Sequence, residues 1–137
     1  MIFDLQTMFS NAQALTATAA STNRLDFGAS ARLGEGHAAY LYIKADNTGG
    51  TSPTLAITLR GDTDSTAGSE VSLLEIKDAA ALAADPSYWK IPIPTFAKYR
   101  YYDVYYTLGG TNPTYTVTAG IVFDVPGTDE LTYQTIV

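Results

Sequence analysis

The chain has 137 residues, a formal net charge of -6 and no cysteine, so it is long enough to bury one core and holds no disulfide framework, thiolate nucleophile or cysteine-based zinc site. Only 16% of it is charged, and the eight Lys and Arg are scattered singly, which argues against a nucleic-acid backbone as partner because that needs a basic stripe. No stretch reaches the roughly 20 apolar residues of a membrane span, and the opening MIFDLQTMFS lacks the basic start of a secretory signal, so a cytosolic product that binds no membrane is expected.

Residues 1–22 differ from the rest. Phe3, Leu5, Met8 and Phe9 are apolar anchors, and a small polar tract follows to Asn23. That tract is too β-branched to hold a helix, so it reads as an extended arm or a first strand. The anchors are expected to dock on a neighbour and to stand outside the core. From Asn23 the alternation has period two. Leu25 and Phe27 share a face before Gly28; Leu41, Ile43 and Ala45 oppose Tyr40, Tyr42 and Lys44; Leu55, Ile57 and Leu59 point inward, with Thr58 and Arg60 outward. NTGG at 47–50 is turn chemistry, and 61–70 reads as a polar loop. Val71 to Lys77 is a strand whose doubled Leu73-Leu74 suggests a bulge. Residues 78–85 are the one run of good helix formers, two turns at most before Pro86. Pro92 and Pro94 mark the next strand as an edge or a sheet-crossing corner. The stretch 99–108 carries aromatics on both faces, GGTNP at 109–113 reads as a hairpin turn, and Tyr115, Val117, Ala119, Ile121, Phe123 and Val125 share one side of the closing strand. The expectation is an all-β sandwich or jelly roll of about eight strands over 23–125, with a tail at 126–137.

Catalysis needs convergent groups, and the sequence shows none. His37 is the one histidine and has no nucleophile motif around it. Asp62, Asp64 and Glu70 invite a calcium reading, but Ala67 stands where the sixth-position glycine belongs, so a solvated loop is expected. No enzyme, metal or cofactor is expected. Tyr99, Tyr101, Tyr102, Tyr105 and Tyr106 suit a pleated sheet face, a protein interface or a sugar-stacking platform.

The tract from Ser10 to Asn23, followed by Leu25-Asp26-Phe27-Gly28, resembles the opening of the jelly-roll capsid cement (decoration) proteins of Bordetella-type tailed bacteriophages. LAITLRGDTD at 55–64, IPIP at 91–94 and the run 99–125 ending in Ala119 to Val125 are similar to later parts of that family. The resemblance implies a structural protein on the exterior of the virion that contacts several major capsid subunits and brings no catalytic residues. With the weak charge and the tyrosine content, it leads us to expect self-association, as a dimer in preference to a trimer. The expected contacts are Phe3, Leu5, Met8 and Phe9 of the arm and Tyr99, Tyr101 and Tyr105 of one sheet face. The alternative from another class is a carbohydrate-binding or adhesin-like module of a phage tail or fibre.

Overall fold

The computed structural model describes residues 5–32, 39–77, 87–94 and 98–122. A 3-10 turn at Leu5–Thr7 leads into seven strands: β1 (Met8–Leu15), β2 (Ala19–Ala20), β3 (Leu25–Arg32), β4 (Tyr40–Asp62), β5 (Val71–Lys77), β6 (Ser87–Pro92) and β7 (Lys98–Val122). Every pairing is antiparallel, in the order β1-β7-β4-β5, with β2 and β3 also on β7 and β6 also on β4. The all-β fold matches the expectation. The helix expected at 78–85, His37 and the tail at 126–137 lie outside the described residues.

β4 has 23 residues and β7 has 25, against a usual strand of about 5–6. They pair along almost their whole length, from Tyr40↔Val122 to Asp62↔Tyr101. Straight, such a ribbon would run some 70 Å or more at roughly 3.3 Å per residue. It bends instead. The ladder slips between Asn47 and Thr54, where Gly50, Ser52, Gly110 and Asn112 take φ of 108°, 47°, 93° and 49°. An added Cβ on Gly50 would lie 2.9 Å from the Asn112 carbonyl, and one on Gly110 would strike that of Ser52. The corner therefore needs both the left-handed backbone and the missing side chains.

This corrects the reading of GGTNP as a hairpin turn. Gly, Asn and Pro mark positions of unusual φ, and a corner needs them as much as a hairpin does. Here two such segments lie side by side, so β4 and β7 turn together without breaking their pairing. One arm of the ribbon carries β6 and β1, and the other carries β5, β2 and β3. The arms fold onto each other as the layers of a sandwich. The Ser10 Oγ to Tyr106 hydroxyl distance of 2.8 Å shows it. Ser10 pairs with Ala119, and a straight β7 would hold Tyr106 roughly 40 Å from that point at ~3.3 Å per residue.

The slip also sets which side chains face inward. On β4 the buried residues keep one parity through the corner, Leu41, Ile43 and Ala45, then Leu55, Ile57 and Leu59. On β7 they change from Tyr102, Val104 and Tyr106 to Tyr115, Val117, Ala119 and Ile121. Pairing moves by one residue between Ala45↔Val117 and Leu55↔Leu108, so both apolar rows stay inside. They form one core cluster with Phe9, Leu15 and Leu25.

The N-terminal segment belongs to this core. β1 pairs with β7, Phe9 is fully buried and Met8 nearly so, which bears out the reading of a first strand and corrects the expectation that Met8 and Phe9 stand outside the core. The small polar tract ties it down. Gln13 Oε1 accepts from Ser10 Oγ (2.6 Å) and the Thr22 N–H (2.9 Å), and its Nε2 donates to the Ala20 carbonyl (3.0 Å). Thr18 and Ser21 hydroxyls accept the N–H groups of Leu108 and Val104. Hydroxyls thus satisfy backbone donors where the two-residue β2 offers few carbonyls.

Two local readings hold. Leu59 pairs with Leu74 and Arg60 with Ser72, so Leu73 is the bulged residue. β6 pairs with β4 alone among the described strands, as suits a strand that ends on Pro92. Phe27 departs from the reading. Between Asp26↔Tyr101 and Ala31↔Tyr99 the ladder is interrupted, and Phe27 is lifted out of the core to lie edge-on against Tyr102, centroids 5.5 Å apart.

Candidate functional site

On the arm that carries β5, outward positions alternate with core positions. Thr58, Arg60 and Asp62 of β4 stand opposite Tyr105, Asp103 and Tyr101 of β7. Arg60 grips Asp103 with two bonds, Nε to Oδ1 and Nη2 to Oδ2, each 2.8 Å. Arg24, in the link from β2 to β3, reaches across with Nη2 2.8 Å from Asp62 Oδ2 and Nη1 3.5 Å from Glu70 Oε1. It also approaches Asp103 at 3.8 Å, and Arg60 approaches Glu70 at 3.7 Å. Two guanidiniums and three carboxylates from four segments thus form one network on a sheet face. The Asp62 and Asp103 side chains are almost wholly buried, and such charges persist only when paired and hydrogen-bonded.

Backbone groups and arginines set the protonation of Asp62, Glu70 and Asp26. The Asp64 N–H and then Arg24 hold the Asp62 carboxyl below its ordinary value against the opposing effect of burial. Glu70 is held low by its own N–H first and then by Arg60. Asp26 is lowered by its paired bonds from Arg100 and by the Gly28 N–H.

Tyrosine rings border the network. The Arg60 guanidinium lies 4.5 Å from the Tyr105 centroid, and Arg24 and Arg100 lie 5.5 and 5.0 Å from that of Tyr101. Each is a cation–π contact, and it holds a long side chain still.

The predicted contact residues separate. Tyr101 and Tyr105 share this outer face. Tyr99 is half-buried, packed edge-on against Tyr102 and over Gly61. Met8 and Phe9 are in the core, Phe3 is outside the described residues, and Leu5 is described only as backbone of the 3-10 turn. Arg24, Arg60, Asp62, Glu70 and Asp103 escaped sequence reasoning as a group. Period-two alternation marked Arg60 as outward, but only the register puts Asp103 opposite it. The expectation of a solvated 61–70 loop is corrected at both ends, since Asp62 and Glu70 are held by arginines. Among the described residues no group of three or more His, Cys, Asp or Glu is placed to hold a metal ion. Beside the face, Gln6–Met8 and Thr22–Phe27 bound an open groove of about 700 Å³.

No curated protein matches the chain. A family profile, Bbp16, matches residues 9–125, from the core residue Phe9 through the Ser10–Asn23 tract and both arms of the sandwich. The chain therefore belongs to the Bbp16 family, a family related to Bordetella phage proteins.

Proposed function

We propose that this protein is a non-enzymatic capsid cement protein, made in the host cytoplasm, that binds the exterior of a tailed-phage head and bridges major capsid subunits. Membership in a phage-related family over residues 9–125 is the observation that carries this reading. The outer face supports it. Tyr and Arg are the residues most enriched at energetic centres of protein interfaces, and here Tyr101, Tyr105, Arg24 and Arg60 are already held in place by each other and by buried carboxylates. Docking such a face costs little side-chain entropy. Repetition around a shell, with the protein self-associated as a dimer, converts modest contacts into strong retention through effective concentration.

The test uses heads that lack the protein. Adding the purified chain should give density on the outer surface by electron microscopy and raise the temperature at which heads rupture. A Tyr101→Ala/Tyr105→Ala double variant should keep its fold and bind about tenfold or more weakly, as loss of central interface tyrosines does. Heads that gain neither density nor heat resistance from the unaltered chain would count against the reading.

A further inference from the structure

Tyr101 stands between two aspartates in the ladder. Asp26 of β3 is opposite it on one side and Asp62 of β4 on the other, so the three residues share the outer face. Each aspartate holds an arginine, and each arginine lies over the Tyr101 ring: Arg24, held by Asp62, at 5.5 Å from the centroid and Arg100, held by Asp26, at 5.0 Å. The two pairs differ in what they do for the fold. Arg24–Asp62 belongs to the network that ties four segments together, and its carboxylate is almost wholly buried. The Asp26 and Arg100 side chains are 43% and 42% exposed. An exposed pair contributes little to stability, because water solvates both charges and fixing two side chains costs entropy. Yet its geometry is two-pointed, with Nε 2.8 Å from Oδ1 and Nη2 3.1 Å from Oδ2. Two parallel bonds fix a guanidinium plane as one bond cannot, and the group so fixed is the one over Tyr101.

We propose that Asp26 and Arg100 are positioning residues for docking, which hold the Tyr101 ring in the orientation that the shell subunit meets and act on the shell through that ring. The proposal rests on the cement reading and deepens it, since it separates the residue that touches the shell from the pair that prepares it. A half-buried tyrosine held on one side only keeps rotamer freedom, and losing that freedom at the moment of binding weakens the contact. With an arginine anchored by each flanking aspartate, the ring is ordered before the shell arrives.

Two variants test it on heads lacking the protein. Asp26→Asn removes the charge and one carboxylate oxygen but keeps an oxygen to accept the Gly28 N–H, now bonded to Asp26 Oδ1 at 2.7 Å. Arg100→Lys keeps the charge and loses the planar fork. Each should melt within about 2 °C of the unaltered chain, the scale of a surface substitution, and bind heads about two- to tenfold more weakly, the effect of having to order one more side chain. The decisive measurement is a double-mutant cycle. In a Tyr101→Ala chain the ring is gone, so adding Asp26→Asn or Arg100→Lys should change head binding no further. Losses that add in full on that background would mean that the pair touches the shell directly, and would overturn the proposal. So would unchanged binding by both folded variants, or a large fall in melting temperature in both, which would make the pair a structural one. Each of these outcomes leaves the cement reading intact. If the unaltered chain fails to bind heads, the cement reading fails and this one falls with it.

Discussion

Gln13 illustrates how a polar side chain holds an apolar core in place. Its amide is oriented by the bond from Nε2 to the Ala20 carbonyl, so Oε1 faces Ser10 and must accept the Ser10 proton. The Tyr106 hydroxyl is then left to donate to Ser10 Oγ at 2.8 Å. The direction of this chain, Tyr106 to Ser10 to Gln13, follows from donor counting alone. It joins one arm of the sandwich to the other through two hydroxyls buried with no access to water. Burial, eased by the Ser10 bond, pushes the Tyr106 phenol well above its ordinary value, which keeps it a donor at any physiological pH. Gln13→Ala removes three hydrogen bonds at once. At roughly 0.5–1.5 kcal/mol each, the expected loss is about 1.5–4.5 kcal/mol of unfolding free energy, read from urea titration. A loss below about 0.5 kcal/mol, the scale of a neutral surface change, would show that the amide is dispensable.

β1 is the element whose role changes most between sequence and structure. Its composition suggests an arm that needs a partner, because Met8 and Phe9 precede small polar residues. The partner turns out to be β7 of the same chain. β1 accommodates itself by slipping register at Met8/Ser10 and again at Ser10/Gln13, with Ala12 at φ 49°. The first slip leaves Phe9 unpaired in the ladder, and its ring is fully buried in the core. Phe9→Ala should therefore cost about 3–5 kcal/mol, the range for emptying a buried aromatic site. Deleting residues 1–12, which takes more than half of the eight-residue β1, should lower the melting temperature sharply. A melting curve superimposable on that of the intact chain would restore the free-arm reading.

At the scale of the whole molecule, the outer-face network decides how stability depends on pH. Arg24 lies early in the chain, Asp62 ends β4, Glu70 precedes β5 and Asp103 lies in β7, so the network clasps four segments that the core also joins. Asp62 and Glu70 are held below their ordinary values of 3.8 and 4.5. The unfolded chain takes up those protons first as acid is added. Their contribution is thus fully present above these ordinary values and is lost as pH falls through the lower folded ones. The urea midpoint should be flat from about pH 7 to about pH 5 and fall below about pH 4. A midpoint that holds constant down to about pH 2.5 would show that the paired carboxylates add nothing to stability.

Much of this molecule was legible from its residues one after another. Period-two alternation is a local property of a pleated strand with one buried face, so Leu41, Ile43, Ala45, Leu55, Ile57 and Leu59 identify themselves as core, and Tyr102 and Tyr106 separate from Tyr101 and Tyr105 by parity alone. Pro92 declared an edge and Leu73-Leu74 a bulge for equally local reasons: a missing N–H and an extra apolar residue. The likeness carried by Ser10 to Asn23 reached a family related to Bordetella phage proteins, although the tract turned out to be a staple within the fold. Three things depended on which distant segments meet. The corner at 47–54 and 109–115 looked like two separate turns, because glycine and asparagine report φ and say nothing about whether a ladder continues across them. The burial of Phe9 required β7 to present an open edge and apolar neighbours. The Arg24–Asp62–Glu70–Arg60–Asp103 network required a register, set by a one-residue slip at that corner, before any of those charges could find its partner.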